Sequence, residues 1–548
     1  MVQGDIKGGL KSDALADLID SKVPDEDKVE IYWTRPRWPT FLKKVQDNHL
    51  GKLMSSEFAE IKEIDDYTLS NNVEDGALLT EALTQLIRPD EEVDPDEITE
   101  GVIMMMALLL PEHREVGPLG EADYYDVAVA DTSSGAVNLD PGYGKVGGGK
   151  YQMQSAAAKA AAAGCPLLNY EAHPKGREVI KKGKKVRQIV CEPYPIYLKN
   201  VAMFGPAIKR HGDVVDGECH GMARMSGGYL APLIKFYLDE KAFNNQLTFD
   251  EFLNQLEVDG LQEDDKQAFE KSINKWSALV YMILMCARVT VSKKNVDDMA
   301  QVLAHWAWVP IKYKGHKCYY AYYVVASGNF WTLKGNTERH IAGYQKLSLD
   351  IQRHGCALGG SCSCYLCDGI DGVRVITEKE LSYIVGGVIV GDDLLRRHVD
   401  LPVAKWIDHI LGTKTLGGRK NAFFEQGDAA EFLRVSYGKD LRTFRDCKRV
   451  FAKLRWGMAK CNDEDFLCAL QSASLELGPN REGNERLQRL WRGVGGDARY
   501  NSELQQRNGL PVGEELRPYT VEEVQILQAG VDEWMLRMQR NWSAMVAE

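Results

Sequence analysis

The sequence predicts an α+β fold, and three observations indicate it. Residues 151–440 combine predicted strands with predicted helices. Residues 441–548 place apolar residues at helical spacing, most clearly in VEEVQILQAGVDEWMLRMQRNW (521–542), and are therefore predicted to be mostly helical. The string GGVIVGDDLLR (386–396) has apolar residues on both sides of Gly-Asp-Asp, which is the pattern of a β-hairpin.

Two segments place carboxylates at the ends of predicted strands. FYLDEKAFNNQLT (236–248) predicts an apolar strand that ends at Asp239. The hairpin turn carries Asp392 and Asp393 to one exposed tip, and Asp239 can lie beside that tip. Joining a 3′-hydroxyl to an α-phosphate develops charge on the attacking and the leaving oxygen, and two Mg²⁺ ions held by carboxylates stabilise both. The carboxylates therefore predict a nucleotidyl-transfer centre.

The segment between them adds groups that suit a ribose. ASGNFWTLKGNTERH (326–340) predicts a Ser-Gly turn that leads into a helix carrying Thr332 and Asn336. Taken singly, an acidic turn is typical of a solvated loop, and an Asp after an apolar run is typical of a helix cap. The fixed order of the three segments favours a metal centre over these simpler interpretations.

The three segments also resemble a known family. The order D-x4-N, SGxxxTxxxNT and GDD is similar to palm motifs A, B and C of viral RNA-dependent RNA polymerases. KKGKKVRQIVCEPYP (181–195) resembles motif F, and GRKNAFFEQGDAAEFLRVSYG (418–438) resembles motifs D and E of totivirus-like double-stranded RNA viruses. The resemblance covers residues 175–440. It implies a right-hand polymerase with fingers, a palm (an antiparallel sheet with flanking helices) and a helical thumb, which copies RNA from an RNA template.

The resemblance also implies a role for each matched residue. Asp239, Asp392 and Asp393 would hold two Mg²⁺ or Mn²⁺ ions. Lys420 would be the general acid for the leaving pyrophosphate, and Arg434 would help to hold the primer or priming nucleotide. The residues that would bind the incoming nucleotide are Lys184, Lys185, Arg187, Asn244, Ser327, Gly328, Thr332 and Asn336.

Domain organisation follows from the same resemblance. Residues 1–150 would form an N-terminal extension and part of the fingers, residues 151–440 the fingers and palm, and residues 441–548 the thumb and C-terminal region. The Gly-rich stretch DPGYGKVGGGK (140–150) has two interpretations, a phosphate-binding loop or a flexible joint. The second is favoured because the stretch lacks the GKS or GKT ending of a P-loop.

Charge is distributed unevenly along the chain. The net charge of −12 argues against a generic nucleic-acid coat protein. Between Lys175 and Arg187, however, the chain carries seven Lys or Arg residues against one acid, Glu178. This run is either a solvated basic hairpin or the site that neutralises a triphosphate, for which the guanidinium of Arg187 is well suited.

Hydropathy bears on location. The longest apolar stretches, at 102–110 and 277–286, are too short to span a bilayer, and no signal peptide opens the chain. We therefore expect a soluble protein without a membrane segment, located in the host cytoplasm and, in an alternative setting, inside a virion. The expected partners are template and product RNA, ribonucleoside triphosphates and, in the virion setting, a capsid protein.

A cluster of metal-binding residue types lies outside the motifs. RHGCALGGSCSCYLCDG (353–369) contains His354, Cys356, Cys362, Cys364 and Cys367, which are candidates for a structural zinc site. The spacing C-x5-C-x-C-x2-C departs from the standard two-knuckle pattern, so a Gly- and Ser-rich loop with incidental thiols is the alternative. His340 and His398 are predicted to be packing or surface residues.

Two other functions remain open at this point. A reverse-transcriptase-like palm polymerase would also place paired aspartates on a hairpin, and deoxyribonucleotide incorporation would distinguish it. A non-enzymatic RNA-binding or capsid-associated protein would keep binding RNA after loss of Asp392.

Overall fold

The structure is a computed structural model of the chain. It describes residues 29–32, 61–70, 73, 92–109, 170–175, 178–210, 214–215, 218–219, 261–267, 269–272, 274–287, 289–290, 296–312, 315–322, 330, 332–385, 388–416, 419–421, 431–432, 434–437, 443–457, 463–494, 499–507, 510 and 512–527.

The described residues of 151–440 combine strands with helices, as the sequence predicts. The strands are β1 (Val29–Tyr32), β2 (Tyr67–Leu69), β3 (Tyr170–Pro174), β4 (Val179–Lys181), β5 (Gln188–Cys191), β6 (Val214–Val215), β7 (Glu218–Cys219), β8 (Leu261–Asp264), β9 (Trp308–Lys312), β10 (Gly315–Tyr322), β11 (Ala357–Gly359), β12 (Val373–Val375), β13 (Val388–Val390), β14 (Asp393–Arg397), β15 (Arg419–Asn421), β16 (Glu431–Phe432), β17 (Val435–Tyr437) and β18 (Thr443–Phe444). The helices are α1 (Pro95–Leu109), α2 (Tyr194–Arg210), α3 (Phe269–Ser272), α4 (Lys275–Ala287), α5 (Val296–Ala307), α6 (Thr332–His354), α7 (Glu378–Val385), α8 (Val403–Leu411), α9 (Cys447–Gly457), α10 (Asp463–Leu477), α11 (Arg481–Gly493) and α12 (Ser502–Arg507), and Lys62–Asp66 form a 3-10 helix.

A six-stranded sheet in the order β15-β8-β14-β13-β7-β6 carries the Gly-Asp-Asp hairpin. β13 and β14 pair antiparallel with Val390 opposite Asp393, so the connection is the dipeptide Gly391-Asp392. Gly391 has φ +65°, a conformation that glycine adopts without strain. The predicted hairpin is therefore confirmed. On its other side β14 pairs antiparallel with β8, which in turn pairs with β15.

Helices cover one face of this sheet and form the larger hydrophobic core. Ile389 and Leu394 of the hairpin pack into it, together with Leu347 of α6 and the fully buried Trp406 of α8. Gly343 of α6 lies so close to Leu411 that an added Cβ would come within 2.9 Å of the leucine side chain. A side chain at this position would push α6 away from α8, so glycine permits the close packing of the two helices.

The two long apolar stretches are largely helical in the structure. They belong largely to α1 and α4, which pack against each other, and the indole of Trp276 donates to the carbonyl of Glu97 at 2.9 Å. Along α4, Tyr281, Leu284 and Met285 are buried. Within the part of the chain that the structure describes, no helix is long and apolar enough to cross a membrane.

A second sheet, β1-β10-β9-β3-β5, contains the strand that follows the basic segment. β5 pairs antiparallel with β3, whereas β4 pairs with β2. The strands on either side of the basic run 175–187 are therefore paired with each other, with Pro174 opposite Gln188, while β4 within the run joins another sheet. The basic run is thus the long connection of a β-hairpin, as one of its two sequence interpretations expects, and the Lys175 amide donates to the Arg187 carbonyl at 2.7 Å.

The C-terminal helices form a second core with an N-terminal segment. Phe451 of α9, Phe466 of α10 and Leu487 of α11 are buried in it, and Ile64 and Tyr67 pack into the same cluster. The helical character predicted for 441–548 is confirmed for α9 to α12. Because Ile64 and Tyr67 belong to this core, a segment from the N-terminal part of the chain completes the C-terminal unit. The boundaries at 150 and 440 remain predictions.

Candidate active site

Adjacent strands bring two aspartates together at the hairpin tip. Asp393 is the first residue of β14, and Leu394 lies opposite Asp264 of β8. Extending this antiparallel register by one residue past the end of β8 brings Asp265 to the position opposite Asp393. Asp265 is exposed, whereas Asp392 and Asp393 are half-buried. Opposed residues of neighbouring strands lie on the same face of a sheet, so the two carboxylates face the same space.

The electrostatics of this group suit a divalent cation. Burial and the neighbouring Asp265 carboxylate raise the pKa of Asp393 to about 6, and Glu431 and Glu263 act in the same direction, whereas Arg434 opposes them. Burial is the larger cause of this shift, and the neighbouring carboxylates, whose oxygen atoms are ligands that Mg²⁺ and Mn²⁺ prefer, add to it. Asp393 and the facing Asp265 offer oxygen ligands of the type that Mg²⁺ binds, and a bound cation would relieve the repulsion between them.

Asp264, the neighbour of Asp265, has a structural role. Its side chain is buried and accepts hydrogen bonds from the amide of Gln262 at 3.0 Å and from the Tyr344 hydroxyl at 3.4 Å. Burial and the charge of Asp264 raise the pKa of Tyr344, which keeps its hydroxyl a donor. These bonds join β8 to α6. Because successive residues of a strand point to opposite faces, this arrangement leaves Asp265 on the carboxylate side.

Two side chains of helix α6 form hydrogen bonds with the backbone of Gly391 in the Gly-Asp-Asp turn. The Gly391 amide donates to the Thr337 hydroxyl at 2.8 Å, and His340 Nδ1 donates to the Gly391 carbonyl at 3.1 Å. Thr337 and His340 are three residues apart and therefore share one face of α6. One helix thus satisfies both the amide and the carbonyl of Gly391. These two bonds fix the position of the turn, and with it that of Asp392 and Asp393, relative to α6.

The protonation state of His340 follows from its surroundings. A carbonyl only accepts hydrogen bonds, so the proton must lie on Nδ1. Full burial, followed by the nearby Lys266, lowers the pKa of His340 to about 3. The ring packs against Phe269 with centroids 5.0 Å apart. The predicted packing role is confirmed, and the bond to Gly391 makes His340 a positioning residue as well. His398 is half-buried and contacts Gln262 through Nδ1 at 3.1 Å.

We expect His340 to weaken the fold under acid conditions. Its pKa is lower in the folded chain than its ordinary value of 6.5, so the unfolded chain binds more protons between 6.5 and about 3. The free energy of unfolding should therefore fall as pH decreases through this window. Guanidinium unfolding at several pH values should show a flatter profile for His340→Asn, whose amide can still donate to Gly391. Parallel profiles for wild type and variant would contradict this origin of the pH dependence.

The start of α6 carries the predicted ribose-contacting residues. Thr332 is its first residue and is half-buried, and Asn336 is buried one turn later. The Asn336 side-chain oxygen accepts from the guanidinium of Arg339, which is itself buried and has its pKa lowered to about 9 by burial. A contact from Asn336 to a nucleotide would therefore use its NH₂ group. Ser327 and Gly328 lie outside the described residues.

A buried glutamate ties the basic segment to the entry of α6. Glu192 directly follows β5 and accepts from the Phe330 amide at 3.2 Å, two residues before α6 begins. It also accepts from Tyr170 at 3.2 Å and Asn200 at 2.6 Å. The segment that resembles motif F and the segment that resembles motif B are thus held together by one carboxylate.

The basic residues themselves are accessible. Lys184 and Arg187 are exposed, and Lys185 is half-buried. Arg187 forms a bidentate ion pair with Glu178, the single acid of the basic run. The Arg187 side chain is 65% exposed, so this pair is worth at most about 1 kcal/mol. An anionic ligand can therefore compete with Glu178 for the guanidinium.

The remaining predicted residues, Lys420 and Arg434, lie after the hairpin, on a strand and in a turn respectively. Lys420 is in β15, opposite Gln262 of β8. Arg434 is exposed, has φ +63°, and lowers the pKa of Asp393 by its charge. The amide of Glu431 donates to the Glu263 carboxylate, which joins the EFLR segment to β8. The charge of Arg434 therefore acts on the carboxylates, and its role in holding the primer or priming nucleotide remains a prediction.

Sequence reasoning overlooked Asp265, Thr337 and the bond made by His340. A signal for Asp265 was present, because Asp265-x-x-x-Phe269 has the same spacing as Asp239-x-x-x-Phe243. Asp239 and Asn244 lie outside the described residues, so their roles remain predictions. The bonds to Gly391 leave no signal in the sequence, since they join residues more than 50 positions apart.

The cysteine-rich segment brings together part of its predicted ligand set. His354, Cys362, Cys364 and Cys367 place their ligand atoms within 4.8 Å of one another. Cys356 is not a member of this group, and its partly buried side chain packs against the larger core. The predicted set of five is therefore corrected to four.

Comparisons with known proteins identify the fold. No family model and no curated protein matches this chain. Among solved structures, the RNA-dependent RNA polymerase of a human picobirnavirus is 12% identical with a TM-score of 0.49, covering 88% of each chain. The Sicinivirus 3Dpol RNA-dependent RNA polymerase is 12% identical with a TM-score of 0.52, covering 83% of this chain and 89% of that chain. The second likeness, together with the sheet and helices described above, shows that this chain has the right-hand fold of viral RNA-dependent RNA polymerases.

Proposed function

We propose that this protein is an RNA-dependent RNA polymerase that copies an RNA template by two-metal nucleotidyl transfer. The observation that carries the proposal is the pairing of β8 with β14, which sets Asp265 beside Asp393 at the tip of a hairpin held by α6. The right-hand fold supports it. Assignment to the totivirus-like group remains a prediction from the motifs, as do the capsid partner and the location in cytoplasm or virion.

Asp265, Asp392 and Asp393 are the residues that would hold Mg²⁺ or Mn²⁺. The bound ions would supply charge stabilisation at the attacking and leaving oxygens of the displacement. The chain contributes the placement of these carboxylates. Thr337 and His340 fix the hairpin turn through Gly391, and Gln262 and Tyr344 fix Asp264 on the neighbouring strand. Both strands are thus held before any ligand arrives, which is the preorganisation that catalysis needs.

The incoming ribonucleotide would be bound from two sides. Lys184, Lys185 and Arg187 would neutralise the triphosphate after Arg187 leaves Glu178. Thr332 and the amide of Asn336, with the predicted Ser327 and Gly328, would contact the ribose. Because the 2′-hydroxyl is both donor and acceptor, mixed polar groups of this kind suit discrimination of RNA from DNA precursors.

A basic group near the carboxylates suits the backbone of template or product RNA. Arg449 of α9 has its pKa lowered by burial and then by the charges of Arg434 and Arg445, so the three cations lie near one another. Glu431 acts on both Arg449 and Asp393, which connects this basic group to the carboxylate cluster. Phosphate binding by such a group also explains how a chain of net charge −12 can bind RNA.

The primary test is ribonucleotide incorporation on a single-stranded RNA template with Mg²⁺ or Mn²⁺. The polymerase should extend RNA with ribonucleotides and discriminate against deoxyribonucleotides. Preferred deoxyribonucleotide incorporation would favour the reverse-transcriptase-like alternative. RNA binding without synthesis under any divalent metal would favour the RNA-binding alternative.

Lys420→Ala should reduce turnover without abolishing it. Positioned proton transfer is typically worth about 10²–10⁴-fold, so loss of the proposed general acid should lower the single-nucleotide rate within that range. Rapid-quench incorporation at saturating nucleotide measures it. Lys379→Ala, at an exposed position of α7, is the matched control and should leave the rate unchanged. An unaltered rate for Lys420→Ala would remove this residue from the mechanism.

A further inference from the structure

The loop after α6 gathers three thiols and an imidazole around one point. His354 is the last residue of α6, and its Nε2 lies 3.3 Å from Cys362 Sγ and 3.4 Å from Cys367 Sγ. Cys364 joins them within the 4.8 Å limit that holds for all four ligand atoms. Tetrahedral zinc bonds of about 2.0–2.3 Å would set neighbouring ligand atoms about 3.5–3.8 Å apart. The observed separations are close to these values.

The backbone around the thiols is shaped to hold them. The amide of Gly359 donates to Cys367 Sγ at 3.1 Å, a contact that stabilises a thiolate. The amides of Cys367 and Asp368 both donate to the Cys364 carbonyl, at 3.0 and 3.1 Å, which closes a tight turn between the last two cysteines. Gly359 has φ +95°, and an added Cβ would lie 2.1 Å from the Gly372 carbonyl oxygen. Only glycine allows β11 and β12 to approach so closely.

The cluster is anchored to two helices that adjoin the candidate active site. Tyr365 stacks on His409 of α8 with ring centroids 4.4 Å apart, and its hydroxyl donates to Asp350 of α6. Lys405 of α8 pairs with Asp368 at 2.7 Å. The four-residue cluster therefore sits where the end of α6 meets the helix that follows the Gly-Asp-Asp hairpin.

We propose that His354, Cys362, Cys364 and Cys367 bind one structural zinc ion. Three sulfurs and one imidazole nitrogen complete a tetrahedron, so no coordination position is left for substrate and the site is structural. The ion closes the loop between α6 and the hairpin and fixes the end of the same helix whose Thr337 and His340 hold Gly391. This site is separate from the carboxylate cluster and does not depend on the proposed polymerase activity.

The test is metal analysis of the full chain, purified without an affinity tag or chelator and under reducing conditions. We expect a zinc-to-protein ratio near unity, and a ratio near zero for the double variant Cys364→Ser/Cys367→Ser. Cys356→Ser is the matched control, because this thiol lies in the same segment but outside the cluster, and it should retain zinc. Equal loss of zinc in the control would overturn the ligand set.

A second measurement keeps the proposal testable if the double variant does not fold. Cobalt(II) exchanged into the wild-type chain should give the visible absorption of a tetrahedral site together with sulfur-to-cobalt charge transfer. Release of zinc by a selective chelator, in excess Mg²⁺, should lower the thermal unfolding midpoint. Wild-type protein that contains no zinc while its cysteines titrate as reduced thiols would overturn the proposal, as would iron in place of zinc.

Discussion

Replacing Asp392 with alanine is expected to abolish ribonucleotide incorporation while the fold and RNA binding persist. The residue lies in the two-residue turn between β13 and β14, where its side chain makes little contribution to the core. A carboxylate that holds a catalytic metal supports several kcal/mol of transition-state stabilisation. At about 1.4 kcal/mol per factor of ten, the rate should fall by at least about a thousandfold. Primer extension and RNA gel-shift assays measure the two properties separately.

The matched control for this change is Asp400→Ala. Asp400 is exposed and follows the same strand, β14, but lies at its far end from the turn. It should retain full synthesis, and Asp392→Asn should repeat the loss with a side chain of unchanged size. Near-normal synthesis by Asp392→Ala would disprove the proposed metal centre and with it the polymerase assignment.

Asp265→Asn should cause a loss of similar size. The substitution keeps the shape of the side chain and removes the charge that faces Asp393 across the β8–β14 pair. Because the pKa of Asp393 is raised partly by Asp265, the variant should also lower that pKa, so that Asp393 is ionised at lower pH. The measurements are single-nucleotide incorporation and its dependence on Mg²⁺ concentration. A raised Mg²⁺ requirement would identify the loss as one of metal binding.

Asp239→Asn is the informative comparison, because Asp239 and Asp265 each stand four residues before a phenylalanine. The structure places Asp265 opposite Asp393 and does not describe Asp239, so the comparison decides between them: if Asp265 is the metal ligand, Asp239→Asn retains most of the synthesis. The opposite result, with Asp239→Asn inactive and Asp265→Asn active, would return the metal-binding role to the residue predicted from the sequence. Loss of activity in both, with intact folding, would assign both carboxylates to the site.

The hairpin and α6 could be predicted because their signals are local. Alternating or continuous apolar residues around Gly391-Asp392 specify two short strands and a tight turn, and both appear as expected. The helix that carries Thr332 and Asn336 forms as predicted and begins at Thr332. The basic run from Lys175 to Arg187 was also evident, and it forms the connection of the hairpin of β3 and β5. The pairing of β4, within the run, with the distant β2 was not evident.

Other features depended on contacts between distant parts of the chain. β8 is four residues long and includes Gln262, Glu263 and Asp264, so its sequence is a poor strand signal. Its pairing with β14, more than 120 positions later, defines it as a strand and selects Asp265. Likewise, the sequence offered His354 and four nearby cysteines, and only the path of the loop separated Cys356 from the other thiols.

The sequence by itself determined the α+β class, the acidic hairpin, the helix before it and the types of residue from which a metal centre could be built. The tertiary structure decided which carboxylate faces Asp393, which side chains hold Gly391, and which thiols meet His354. The physical reason is that hairpins and helices are stabilised by near neighbours in the chain, whereas a charge cluster or a ligand tetrahedron requires side chains from separate segments to meet.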